Sequence, residues 1–408
     1  MSLAEVENIL KHDYKNLTDL LNNSVGLSAQ LDHNTDSISG DFAVISMEAG
    51  REYGIGARLA GDVMPAAHSV PPQQVHVRVK RTLGRYRMTT AEIAAMESNV
   101  GAFTQAQPRR IRNLKNGCTR DYARQAWGDG AGRLAQCGTT TASTTVVLDA
   151  TTAEQQLLNL AEGMQVDIGT NADPQLIASD RRVISVDFDN ATVLISGAVV
   201  TTTASHFLYR QGAGGAPATA TQRELTGVER LVDDTVAVQD LDPANQWNWA
   251  AFVTDNGGTP APMSESRLES IVMRHESRSG AMVDELRSGQ GVYRAMVNSL
   301  KGRQRVVNDI ALKGGHTAID YTFGAHNMPL SYDRDADVVD PNALWGFEWK
   351  SLTVYVQRDW QWEDTDGQVL RLATDGTQSF EGVYYTFREL GVSERNHNFR
   401  ADDVEAAA

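Results

Sequence analysis

The chain has 408 residues, 41% of them hydrophobic and 22% charged, with a formal net charge of -15. That length supplies two or three packed cores, because single cores stop growing near ~250–300 residues, and the composition is not that of a disordered chain. The acidic balance excludes a protein that grips nucleic acid with its whole surface. Cys118 and Cys137 alone exclude a disulfide framework and lack zinc-site spacing. No run approaches the ~20 apolar residues of a membrane span.

Met1 to Glu7 lack the basic start and apolar run of a signal peptide, so folding in a cytoplasm is expected. Leu3, Val6, Ile9, Leu10, Leu17, Leu20 and Leu21 recur at helical spacing and predict an amphipathic helix over 1–23. Glycines and prolines interrupt residues 50–72, and Val75-His76-Val77-Arg78-Val79-Lys80 then alternates as a strand does. From Val63 to Ala91 there is no acid, while Arg78, Lys80, Arg81, Arg85 and Arg87 are basic. A long hairpin over 50–88 with so few large apolar residues cannot build its own core. It is expected either to stay in solvent or to lie on another surface, with Arg78 and Lys80 on one strand face.

Thr89 or Thr90 can cap a short helix carrying Ile93 and Met96. A longer helix is predicted from Pro108 to Trp127, with Ile111, Leu114, Cys118 and Tyr122 on one face. Arg109, Arg110, Arg112, Lys115, Arg120 and Arg124 occupy its other faces, and the glycines after Trp127 stop it. Residues 138–222 turn Thr-rich and strand-like. The runs 182–188 and 191–196 flank a tight turn at Asp189-Asn190, with further strands around Met164–Ile168 and His206–Tyr209. The segment reads as a small inserted β-barrel or sandwich. Ser266 with Glu269 forms a capping-box pattern. Strands are expected at 318–323, 352–356, 360–372 around a turn at 364–367, and 383–387, before a frayed tail over 402–408.

The sequence carries few patterns of catalytic or ligand-binding type. Gly130-Ala131-Gly132-Arg133-Leu134-Ala135 matches the dinucleotide fingerprint, but a helix precedes it where a strand is needed. His275-Glu276 begins a metalloprotease pattern whose second imidazole is missing, since residue 279 is Ser. Asp333, Asp335 and Asp337 resemble the start of a calcium loop that lacks its turn glycine and closing Glu. They read better as an acidic solvated loop or as the partner of a basic arm. Trp345, Trp349, Trp360 and Trp362 fit packing better than a ligand platform. No catalytic, cofactor-binding or metal site is expected, and the chain is not read as an enzyme.

Certain stretches, in this order, resemble the tailed-bacteriophage major capsid protein family with its Hong Kong 97-type fold. They are Glu52-Tyr53-Gly54-Ile55-Gly56-Ala57-Arg58, Tyr86-Arg87-Met88-Thr89, Trp127-Gly128-Asp129-Gly130, Thr202-Thr203-Ala204-Ser205-His206-Phe207 and Trp362-Glu363-Asp364-Thr365-Asp366-Gly367. The resemblance implies an α+β fold divided as follows: N-terminal arm 1–49, extended hairpin loop 50–88, and peripheral domain with spine helix 89–137. An inserted β-domain 138–222, an axial domain 223–340, and peripheral return strands with a tail 341–408 complete it. It implies pentamers and hexamers that form an icosahedral shell around double-stranded DNA without sequence-specific binding, in a virion assembled in the host cytoplasm. A separate scaffolding protein, a portal and a decoration protein are the implied partners, with no cofactor and no membrane. The candidate inter-subunit contacts are Arg78, Lys80, Arg81, Arg85 and Arg87 against Asp333, Asp335 and Asp337. Three other readings stay open: an encapsulin-type cargo shell, a hydrolase with a β-module using Asp333, Asp335 and Asp359, and another virion protein such as a portal or tail component.

Overall fold

The computed structural model describes residues 26–27, 30–47, 54–67, 73–98, 106–149, 153–170, 176–213, 223–246, 248–301, 319–323, 326–364, 367–374 and 376–406. The helix expected over 1–23 lies outside them. The chain divides into two compact units, and it crosses between them at 36/37, 78/79, 227/228, 353/354 and 390/391.

In the first unit, Lys80–Thr89 pairs antiparallel with Ser379–Val392 over ten residues, from Ser379 opposite Thr89 to Arg388 opposite Lys80. Leu352–Trp362, Asp32–Asn34 and Arg371–Leu372 complete this five-stranded sheet. Period-two alternation puts Tyr86 and Met88 on one face, and Trp360 and Trp362 on one face of their own strand. All four are buried in one core with Tyr384 and with Ile111, Cys118 and Tyr122 of the long helix Ala106–Trp127. Trp360 stacks on Tyr384 at 5.3 Å. The helix comes close to the sheet because residue 84 has no side chain: a Cβ on Gly84 would lie 3.0 Å from Cys118 Sγ. Before it, Thr90–Ser98 starts on a reciprocal cap. Thr89 Oγ1 accepts from Glu92 N–H, and the Glu92 carboxylate accepts from Thr89 N–H.

The Thr-rich segment forms a six-stranded sheet within this unit. Its order is Arg133–Gln136, His206–Arg210, Gln165–Thr170, Leu176–Asp187, Thr192–Ile195 and Thr145–Val147, with a separate pair Thr140–Ser143 and Val200–Thr202. Its inward residues, among them Leu134, Val146, Val166, Ile168, Val183, Val193 and Leu208, make a core of their own. The β-structure starts at Arg133, ahead of the expected 138, because Arg133–Gln136 pairs with the closing strand. The turn expected at Asp189-Asn190 spans 188–191. Asp187 holds it, its carboxylate accepting from the N–H groups of Asp189 and Asn190.

The second unit is built on a mixed six-stranded sheet. Its order is Phe252–Thr254, Phe399–Ala401, Leu344–Phe347, Glu285–Ser288, His326–Tyr332 and Ile319–Phe323. Helices Glu265–Ser279 and Gln290–Lys301 supply Leu268, Ile271, Val272, Val292 and Met296 to its core. The first helix is capped by Ser264, whose side chain accepts from Arg267 N–H, so the cap sits two residues before the expected Ser266. Leu344–Phe347 and 391–406 belong to this unit rather than to the return strands. The described part of the expected frayed tail is packed: Val404 is fully buried and bridges Ala261.

Candidate functional site

A hairpin arm rises from the second unit. Phe42–Met47 pairs with Gln73–Arg78, from Phe42 opposite Arg78 to Met47 opposite Gln73. The rising strand therefore precedes residue 50, and the return strand ends at Arg78 instead of running to 88. Ala43, Val75 and Val77 are buried, and the opposite face leaves Phe42 and Val44 exposed. The tip is closed by local bonds: Asp62 accepts from Leu59 N–H at 3.0 Å, and Arg58 Nε donates to the Val63 carbonyl at 3.1 Å. Ile55, Leu59, Val63 and Met64 are 81–89% exposed there. Four large apolar side chains this exposed within ten residues favour a surface used for contact.

The five basic residues do not form one free stripe. Arg78 is on the arm and meets Asp240 at 3.4 Å, with both side chains mostly in solvent. Lys80, Arg81, Arg85 and Arg87 lie on Lys80–Thr89 in the first unit. Lys80 Nζ is 3.2 Å from the buried carboxylate of Glu389 and donates to Thr226 Oγ1 at 2.9 Å. Burial pushes the Glu389 carboxyl up, against the pull of Lys80. Arg85 forks onto Glu381, Nε to Oε2 at 2.7 Å and Nη2 to Oε1. Arg87 Nε donates to Ser379 Oγ, and the Arg81 guanidinium lies 5.0 Å from the centre of the Phe387 ring. The chain changes units at 78/79, so Arg78 and Lys80 do not share the strand face that alternation predicted.

The acidic stretch is not a solvated loop. Asp333 caps the helix Arg334–Val339, and Asp335 and Asp337 are buried. Arg287 donates to Asp333 at 3.2 Å, and the Asp337 carboxylate accepts from Gln290 N–H, at the start of another helix, at 2.8 Å. Each group is committed within the subunit, which leaves no calcium loop.

The other catalytic suggestions also resolve into structure. A strand follows Gly132 and a helix precedes Gly130, the reverse of a phosphate-binding turn. His275 is buried between Phe252 and Phe399 with Nε2 3.1 Å from the Asn396 carbonyl, and burial lowers its pKa to about 4. Trp345, Trp360 and Trp362 are core residues. Asp359 is bound by Arg388. Both cysteines are free and buried, with thiols pushed up to about 12 by burial, which makes them poor nucleophiles. A cleft of about 410 Å³ between the long helix, Leu83–Arg85 and 158–161 contains no nucleophile–base pair, and its Asp121 is held by Arg124 and Arg210. Among the described residues no helix is long and apolar enough to cross a membrane.

No protein-family model and no curated protein sequence matches the chain. Solved structures do. A chain of the cyanophage A-1(L) capsid asymmetric unit superposes with a TM-score of 0.53 at 9% identity, covering 96% of this chain and 93% of that one. The chain has the fold of that phage capsid chain. The capsid of Myoviridae phage XM1 is also similar, with a TM-score of 0.42, 9% identity and coverage of 94% and 92%.

Two features of this capsid fold escaped the sequence reading. One is a buried ionic knot that ties the long helix to the start and end of the Thr-rich β-segment. Arg124 donates to Glu224 at 2.6 Å, to Asp121 at 3.1 Å and to the Arg133 carbonyl at 3.1 Å, while Arg210 donates to Asp121 at 2.8 Å. Gly227 packs so tightly against this turn that a Cβ would lie 2.4 Å from the Gln125 and Gly128 carbonyl oxygens. The other is a trio of metal-ligand type, Glu348, Glu394 and His397. Asp121 with Arg124 and Glu394 with His397 are three residues apart, but Glu224, Arg210 and Glu348 come from far along the chain and carry no local signal of the meeting.

Proposed function

We propose that this chain is the major capsid protein of a tailed phage, a virion component that assembles into pentamers and hexamers forming a shell around double-stranded DNA. The observation that carries the reading is the arm tip, joined to a capsid fold: Ile55, Leu59, Val63 and Met64 gain little within their own subunit and have much to gain on a neighbour. Burying four such side chains is worth roughly 6 kcal/mol or more per contact, and each contact recurs around every ring. A net charge of -15 suits a wall that encloses DNA without holding its phosphates. A separate scaffolding protein, a portal and a decoration protein remain the expected partners.

The test is negative-stain microscopy and sedimentation of the purified protein, with and without Ile55→Ser, Leu59→Ser, Val63→Ser and Met64→Ser combined. Wild type should give capsomers or closed shells, and the variant should stay folded by circular dichroism but unassembled. A variant that assembles like wild type would remove the tip from the mechanism. Wild-type protein that remains monomeric at all salt and scaffold conditions would overturn the shell reading. Particles filled with protein cargo rather than DNA would point to an encapsulin-type compartment.

A further inference from the structure

Two short 3₁₀ turns of the second unit, Trp349–Ser351 and Arg395–His397, begin at Glu348 and Glu394. A carboxylate at such a position ordinarily caps its own turn, but neither does so here. Both converge instead on one atom. Glu348 Oε2 lies 2.5 Å and Glu394 Oε2 2.9 Å from Nδ1 of His397. One ring nitrogen carries at most one hydrogen, so it cannot donate well to both. Among the described residues no Lys or Arg forms an ion pair with either glutamate. Two carboxylate oxygens and one imidazole nitrogen therefore meet at close range, a donor set of metal-ligand type.

The backbone that presents them is held firmly. Asn398 is fully buried; its Oδ1 accepts from Glu348 N–H at 3.2 Å and its Nδ2 donates to Ser351 Oγ at 2.8 Å. Ser393 N–H donates to the Ser351 carbonyl at 2.9 Å. The buried Arg395 guanidinium is fixed by the carbonyls of Leu231, Val236 and Arg230 at 2.7–3.0 Å. Donor atoms on a backbone locked by outer hydrogen bonds are what metal sites require.

We propose that Glu348, Glu394 and His397 bind a divalent transition-metal ion, Zn²⁺ being the best fit to one imidazole nitrogen and two carboxylate oxygens. The three donor atoms already lie within 4.8 Å of one another. Tetrahedral zinc with bonds of ~2.0–2.2 Å needs donors about 3.3–3.5 Å apart. The two contacts must open by less than about 1 Å, which small rotations of the Glu348 and the half-exposed Glu394 side chains can supply. Nδ1 then gives its lone pair to the ion, the ring proton sits on Nε2, and water fills the open side. The ion would join residue 348, shortly before the chain leaves the second unit, to 394–397, shortly after it returns. It would act as a clasp across that excursion and stabilise the folded state.

The full-length chain, treated with EDTA and dialysed, is titrated with ZnCl₂ by calorimetry, and Co²⁺ is used as a coloured substitute. Expected are one Zn²⁺ per chain at this site, a thermal midpoint that rises with zinc, and visible Co²⁺ bands of four-coordinate type. Glu348→Gln with Glu394→Gln should weaken binding by more than about a hundredfold, beyond what loss of an outer-shell partner causes, and should abolish the midpoint rise. Equal zinc binding by wild type and the double variant would assign the ion to other histidines and overturn the proposal. So would wild-type protein with no zinc uptake or no four-coordinate Co²⁺ bands, a readout that does not depend on the variant folding.

Discussion

Replacing Arg124 by Met should destabilise the first unit by about 3–5 kcal/mol, the usual effect of stranding a buried charge. Arg124 is 8% exposed and Glu224 6%. Burial pushes the Glu224 carboxyl up and Arg124 opposes this; without Arg124 the carboxylate has no cation at hydrogen-bond distance among the described residues. Asp121 suffers less. Burial acts against its charge, yet Arg124 and Arg210 hold its pKa below the usual range, and Arg210 and Gln125 would still bind it at 2.8 Å each. Glu224→Leu alone should cost less than Arg124→Met, because Arg124 keeps Asp121 and the Arg133 carbonyl. The double variant Arg124→Met/Glu224→Leu replaces an ion pair by apolar contact, so it should be at least about 2 kcal/mol more stable than the sum of the singles. Urea unfolding of the unassembled subunit, followed by fluorescence, gives the cycle; Trp127, buried beside the knot, is a suitable reporter. Additivity within about 0.5 kcal/mol would show that the two charges are not coupled as their 2.6 Å contact implies.

His275 predicts a pH dependence. Its folded pKa of about 4 lies below the ordinary 6.5, so the unfolded chain binds the extra proton between those values. Its contribution, at most about 3 kcal/mol, is complete above pH 6.5 and is lost as pH falls toward 4. His275→Gln should flatten the stability profile in that window, and an unchanged slope in acid denaturation would refute the assignment. Lys80→Glu should destabilise folding by about 3 kcal/mol or more, since it sets a second carboxylate against buried Glu389, whereas Arg78→Glu should stay within about 1 kcal/mol of wild type. Thermal melts of the two single variants separate these outcomes, and equal losses would contradict the different environments of the two side chains.

Much of the fold could be read from local pattern. Helical spacing of Ile111, Cys118 and Tyr122 placed the long helix, and alternation around Val183, Val193 and Leu208 placed the inserted strands, because periods of 3.6 and 2 are written directly into a sequence. Trp360 and Trp362 announced a core face for the same reason. Partners across the chain could not be read this way. The run Val75–Lys80 alternates without a break, yet the chain changes units at 78/79, and only pairing with Phe42–Met47 on one side and Ser379–Val392 on the other decides where each half goes. Charge had the same limit. Arg124 could be placed only off the apolar face of its helix, Lys80 only on a basic arm, and Asp335 and Asp337 only in an acidic loop or opposite that arm. The tertiary structure made them interior groups by bringing Glu224, Glu389, Arg287 and the start of a helix to meet them or their neighbours. A charged side chain states only that it must be solvated or compensated, and the compensating partner is fixed by topology, not by sequence neighbours.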